Sequence, residues 1–442
     1  KPVSELQNLR SYLLKWPEWL PVLIWIVLWA MVLALNSSKA VLSIGYIALP
    51  SLVLIYRLLD QSLLNRWQQI QAWPLLLLAG IWLLALLSGL ISEDQSRWLR
   101  DLRTKVPFLI FPAGLAFMPP LPGKGKQKLG LAFVYAQAVW ALLSLGKLAF
   151  TYEAQMERVR LNGNIEAFGS ISHIYFGLLL GGAVLLGLFY LLHLRKDLAR
   201  WQRYLLLFAV LICFVTLHIL NSRTAQVALY GGLGVFILWE VWQRKNILLG
   251  VGLLSLLTLT PLLAYQLIPS FRTRVAVTIW DYQQSESPTG DIANNSLSTR
   301  RVGWQAAWSI YTAHPWWGVG LEDVGEEMVQ LYQNWELNLP EDLPPALREP
   351  HNLYLKYAAG AGSVGLIFLL AVLLIPLART QGAPYGLLYG YFSLMLISFL
   401  FENVLERQIG IMYFLISFHF LIMESAFLKK RTVPSPHQNV KH

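Results

Sequence analysis

The sequence predicts an all-α polytopic membrane protein, and three observations predict it. Hydrophobic residues make up 56% of the 442 residues and charged residues 14%, against roughly 45–50% and 25% in soluble domains. Nearly uncharged segments of about 20 residues recur along the chain, the length that crosses a hydrocarbon core as a helix. One long polar stretch, residues 269–352, interrupts them.

In chain order, about 12 transmembrane helices are expected, over residues 19–35, 40–59, 73–91, 106–118, 129–150, 171–192, 204–220, 224–242, 247–268, 353–375, 384–401 and 408–427. An even number places both termini on one side. The loops carrying Lys124, Lys126 and Lys128, then Arg195, Lys196, Arg200 and Arg203, then Arg244 and Lys245, share that side with the tail residues Lys429, Lys430 and Arg431. That side is expected to be the cytoplasmic one. The first apolar run has no small-residue cleavage site and is expected to remain as the first span. The chain then divides into a nine-span region (1–268), an outer loop domain (269–352), a three-span region (353–428) and a cytoplasmic tail (429–442), with the last residues disordered. The net charge of +10 fits cationic loops facing anionic lipid, so no nucleic-acid partner is expected. The single cysteine, Cys213, lies in an apolar run, which excludes a disulfide or a thiolate metal site.

Basic residues on the outer side are mostly arginine, and a guanidinium fork suits bidentate contact with phosphate. Arg97, Arg100 and Arg103 recur at three-residue spacing in residues 92–105, roughly on one helical face. Arg158 and Arg160 precede an Asn-Gly-Asn turn at 162–164. Arg223 sits in a tight connection between two long apolar runs, a position that marks a functional residue by default. The competing reading is that such arginines pair with outer acids or bond helix-end carbonyls.

The insert carries eleven acids against five arginines, so its bulk is a solvated, negative module. Turn material at 287–291 is followed by a helix that Ser298 or Thr299 can cap, with Arg301, Trp304, Trp308 and Tyr311 along one stripe. His314 and Pro315 end it, Gly318 and Gly320 turn the chain, and a second helix carries Val324, Met328, Leu331 and Trp335 on one face. These stripes are expected to pack the two helices together or to rest them on the membrane. His351 and Asn352 close the insert directly before the next apolar run.

Familiar metal and nucleotide constellations are missing: no Asp-x-Asp element in the outer loops, no paired-histidine zinc motif, no P-loop. An enzyme built from these residues is expected to work without metal or cofactor, with arginines taking the charge of a leaving phosphate. His173 and His218 fall within spans and are expected to bond backbone or neighbouring side chains. His351, fixed behind Pro350 at the membrane edge, is the histidine placed to act as a base, and nearby arginines would keep its imidazole neutral.

Three motifs, in order, resemble the O-antigen ligase/polymerase superfamily. Ser222, Arg223 and Ala225 resemble its S-R-x-A element. Arg301, Trp304 and Ala307, followed by His314, Pro315, Gly318 and Gly320, resemble its R-x-x-W-x-x-A … HP-x-x-G-x-G signature. His351 and Asn352, followed by Gly362 and Gly365, resemble its HN … G-x-x-G signature. The resemblance implies a GT-C-like fold with a large, mainly helical periplasmic loop between spans 9 and 10, in the inner membrane of a Gram-negative bacterium. It implies an O-antigen ligase, which moves a preassembled glycan from undecaprenyl diphosphate to a sugar hydroxyl of lipid A–core, inverting and metal-independent. His351 carries over as the residue that activates or positions the acceptor hydroxyl. Arg223 and Arg301 carry over as diphosphate binders, with Arg300 the alternative to Arg301. Arg97, Arg100, Arg103, Arg158, Arg160 and Asn352 are added as contacts for phosphate or acceptor. Many relatives have an acid near the first glycine of G-x-x-G, where this chain has Ala359, Gly360 and Ala361, so a second base is unassigned. An O-antigen polymerase or a protein O-oligosaccharyltransferase uses the same donor; a glycan or lipid transporter is the alternative of another class.

Overall fold

The computed structural model describes residues 19–60, 62, 77–121, 123–161, 163–169, 171–285, 296–335, 337, 339, 343–379 and 386–432. Among these residues all regular structure is helical. The helices are α1 (Leu20–Ala34), α2 (Lys39–Leu59), α3 (Ala79–Ser88), α4 (Gln95–Phe117), α5 (Gly125–Phe150), α6 (Tyr152–Arg160), α7 (His173–His193) and α8 (Arg200–Ile219). They continue with α9 (Arg223–Arg244), α10 (Ile247–Leu267), α11 (Pro269–Ser285), α12 (Ser296–Ala313), α13 (Val324–Asn334), α14 (Leu353–Arg379), α15 (Gly386–Phe399) and α16 (Gln408–Thr432).

Among the described residues seven helices, α2, α5, α7, α8, α9, α10 and α14, are long and apolar enough to cross a membrane. Four more, α1, α3, α15 and the first part of α16, are apolar but shorter. The segment expected at 106–118 is the second half of α4, whose first half is charged. The turn expected at 287–291 and the tail beyond 432 lie outside the described residues.

The bundle is centred on α7, two-thirds of whose apolar window is buried and which packs against α5, α8, α9 and α15. Helices in lipid gain little from hydrophobic exclusion, so close approach through small residues holds them together. The crossing of α9 and α15 shows this. A Cβ on Gly232 would stand 2.6 Å from the carbonyl oxygen of Gly390.

Helix α14 breaks at Gly362, where φ is 63° and ψ −165°. A break at this point frees backbone groups that lipid cannot satisfy. The turn after α12 supplies the partners. The N–H groups of Val319 and Gly320 donate to the carbonyls of Ala359 (3.1 Å) and Gly360 (2.8 Å), and Ser363 N–H donates to the Pro315 carbonyl (2.8 Å). Gly318 has φ +69° and approaches so closely that a Cβ would lie 2.4 Å from the Gly360 carbonyl carbon. Only glycine fits both conditions.

The insert contains three helices among its described residues, α11, α12 and α13, where two are expected from periodicity. Polar residues such as Arg274 and Asp281 are buried on α11, which blurs its apolar face. Helix α12 begins at Ser296, ahead of the expected cap. Its buried face is Thr299, Gly303, Ala306, Ala307 and Ile310, while Trp308 is exposed. The tryptophan stripe is therefore not the packing face. Small residues win because α12 lies close against α14 and residues 349–350: a Cβ on Gly303 would be 3.4 Å from the Glu349 carbonyl. Helix α13 packs through Val324, Met328 and Tyr332.

Residues 92–105 meet the acidic insert. Arg97 pairs with Glu326 at 2.6 Å. The Asp323 carboxylate accepts from Ser92 Oγ (3.1 Å) and Glu93 N–H (2.9 Å).

Candidate active site

A cavity of about 300 Å³ opens where four elements begin. Its wall includes the first residues of α7 (His173, Ile174), of α9 (Arg223, Thr224) and of α12 (Ser296, Thr299, Arg300), and His351 just before α14. Each helix start presents N–H groups and the positive end of its dipole. Such a convergence is an anion site before any side chain is counted.

The side chains add to that field. Arg223 is oriented by Thr278 Oγ1, which accepts from Nη1 at 2.9 Å, and by the Ser296 hydroxyl. Arg300 lines the same wall; burial, first of all, pushes its guanidinium down, and the charges of Glu402 and Asp281 oppose the shift. Behind them Arg274 is 3% exposed, donates to Asn164 Oδ1 at 2.6 Å, and is pushed down to about 10 by burial and by the charge of Arg223. Asp281, fully buried, accepts from Leu297 N–H at 3.2 Å.

The connection between α8 and α9 is turned by Asn221, with φ +57°, a conformation that asparagine adopts at helix ends. Its side-chain amide and the Ser222 hydroxyl are buried with no protein hydrogen bond, and both residues line the cavity.

His351 has φ +48°, an uncommon backbone for a residue with a side chain. Its Nε2–H donates to the Ala346 carbonyl at 3.1 Å, since a carbonyl can only accept. Nδ1 is buried with no hydrogen bond and lies 3.5 Å from Glu402 Oε1, an ion-pair distance. Burial pushes the Glu402 carboxyl up, but the imidazole beside it and the nearby Arg300 charge outweigh this and hold it below the usual carboxylate range.

The structure brings together Arg223, Arg300 and His351 from the expected residues. It places Arg301 elsewhere. Neighbouring positions differ by about 100° around a helix, and the small-residue face of α12 turns Arg300 to the cavity and leaves Arg301 exposed. Asn352 is off the cavity wall; its Oδ1 accepts from Leu355 N–H at 3.1 Å and caps α14. Arg97 is engaged by Glu326, Arg158 pairs with Glu166 and Arg160 with Glu157, and Arg100 and Arg103 are exposed. None of these five lines the cavity. His218 bonds the Phe214 carbonyl (2.8 Å) and Tyr230 (2.7 Å) within the bundle, as expected, whereas His173 is a wall residue.

The O-antigen ligase family model matches residues 208–370 of the chain. The match supports a member of the O-antigen ligase/polymerase superfamily. No curated protein matches. The matched segment runs from within α8 into α14 and so contributes Arg223, Arg300 and His351, three of the five ionisable side chains on the cavity wall. A superfamily member is a glycosyltransferase-type enzyme of polysaccharide assembly, acting on lipid-linked glycan. His173 precedes the matched segment and Glu402 lies beyond it. The only mark of Glu402 in the sequence is an acid set directly between two apolar runs, which is itself a sign of function. Arg274 likewise follows an apolar run within a few residues.

Proposed function

We propose that the protein is an O-antigen ligase, moving a preassembled glycan en bloc from undecaprenyl diphosphate to a sugar hydroxyl of lipid A–core. In this reading twelve segments span the inner membrane of a Gram-negative bacterium, both termini are cytoplasmic, and the cavity faces the periplasm. One observation supports the reaction most: three helix N-termini and two arginines face a histidine–carboxylate pair across a single cavity.

The donor diphosphate sits against Arg223 and Arg300, with the Asn221 amide and Ser222 hydroxyl as further contacts. The acceptor hydroxyl approaches the imidazole of His351, which takes its proton as the oxygen attacks the anomeric carbon. The bond from that carbon to the diphosphate oxygen breaks on the opposite face, giving inversion. The electron pair leaves on the lipid diphosphate, where the guanidinium groups balance it. Glu402 sits where it balances the imidazolium. Positive charge comes from arginines throughout, so the reaction is expected to need no metal or cofactor.

Purified protein incubated with lipid-linked O-antigen and lipid A–core tests this directly. Product is expected without added metal, in the presence of EDTA, and not from His351→Ala. A cell lacking the gene is expected to accumulate long chains on the carrier while lipid A–core carries none. Single-repeat caps on lipid A–core in that cell would assign the polymerase reaction instead.

A further inference from the structure

At the far end of the same helices is a second cavity that the proposed reaction does not use. It measures about 360 Å³ and is walled by Arg195, Arg200, Arg203 and Tyr204, with Leu191 and Leu207 below. Helix α8 starts here and ends 20 residues later beside the first cavity, so the two are about 30 Å apart.

The charges at this end are uncompensated. Arg200 and Arg203 lie in the first turn of α8, where the helix dipole disfavours cations. The acids nearby are already engaged: Asp197 with Lys124 at 2.8 Å, and Glu240 with His193 (2.9 Å) and Arg244 (3.0 Å). Among the described residues none of the three arginines makes an ion pair. Arg203 donates from Nε to the Leu198 carbonyl at 3.0 Å, which fixes its guanidinium at the cavity wall. Below the arginines, Tyr204, Leu207, Phe208 and Leu211 form an exposed apolar stripe running down α8, at the spacing of one helical face.

We propose that this cavity holds the phosphate of an anionic membrane phospholipid, with an acyl chain lying along the α8 stripe. Three forked donors and a helix N-terminus match a phosphodiester, and the apolar track selects a lipid over a soluble phosphate. The site is separate from the glycan-transfer cavity and does not depend on that assignment.

Native mass spectrometry of the full-length protein tests it, using dioleoyl phosphatidylglycerol and dioleoyl phosphatidylcholine as paired probes. Wild-type protein is expected to retain the phosphatidylglycerol preferentially. Arg195 and Arg200 are exposed, so the double variant R195Q/R200Q is expected to fold and to lose affinity for it by about fivefold per arginine. Should that variant not be recovered folded, R200Q alone carries the comparison, with a loss of about fivefold. Equal retention of the two lipids, or unchanged retention by the variants, would overturn the proposal. Displacement of the lipid by glycerol 3-phosphate in solution would also overturn it, by assigning a free-phosphate site.

Discussion

Two clusters of buried charge lie near each other in this protein and are built in opposite ways. Around the cavity that holds His351, Arg223, Arg274 and Arg300 outweigh Asp281 and Glu402, and helix N-termini add further positive potential. Under the insert, Lys105 and Lys356 meet Asp101, Glu322 and Glu406, with Lys105 Nζ 2.9 Å from Glu406 and 3.6 Å from Glu322, and Lys356 Nζ 3.2 Å from Glu406. Burial lifts the Glu322 carboxyl to about 8, helped by the neighbouring Asp101 carboxyl. With Glu322 protonated, this second cluster is neutral. A neutral cluster is complete by itself and joins α4, the insert and α14. A cluster with surplus positive charge is complete only with an anion in it.

The sharpest way to break this comparison is His351→Ala, expected to lower turnover by 10²–10⁴, the usual contribution of a positioned base. Arg223→Ala and Arg300→Ala are each expected to lower it by about 10², while Arg301→Ala stays within a few-fold; steady-state transfer rates compare all three. A severe loss in Arg301→Ala with little loss in Arg300→Ala would reverse the assignment of the cavity face.

The neutral cluster is expected to respond in stability and not in chemistry. Lys105→Met leaves one carboxylate charge of the buried cluster unbalanced and is expected to destabilise the fold by about 3–5 kcal/mol, read as a fall in melting temperature with turnover per folded molecule retained. The pH dependence follows from Glu322, whose folded value of about 8 exceeds its ordinary 4.5. The native chain holds a proton that the unfolded chain releases, so this contribution is complete below about 4.5 and is lost as pH rises toward 8. The melting temperature of the wild type is expected to fall between about pH 4.5 and pH 8, and that of Glu322→Gln to stay flatter over the same range. Smallest of all, Arg97→Ala removes a partly exposed pair and is expected to cost about 1 kcal/mol or less.

Much of this organisation is legible in the sequence. Hydropathy places a helix at each long apolar run, and the Arg223 and His351 motifs point to residues that line one cavity. Two kinds of information escape it. The phase of α12 is set by Gly303, Ala306 and Ala307 packing against α14 and residues 349–350, so the choice between Arg300 and Arg301 depends on a contact and not on the spacing to Trp304. Glu402 becomes the partner of His351 only through tertiary structure, 51 positions away along the chain. The arginines of residues 92–105 are legible as an anomaly of charge, yet the anion that answers Arg97 is the insert itself.

The break in α14 at Gly362 bears on how this protein can be taken apart. Because the turn at 315–320 supplies hydrogen bonds that α14 lacks, the insert is not a cassette hung between two spans. A chimera that exchanged residues 269–352 alone would bring a foreign turn against a native gap in the helix. An exchange that carries residues 296–364 as one block keeps both halves of the seam, and is the unit that can be moved between relatives with its hydrogen bonds intact.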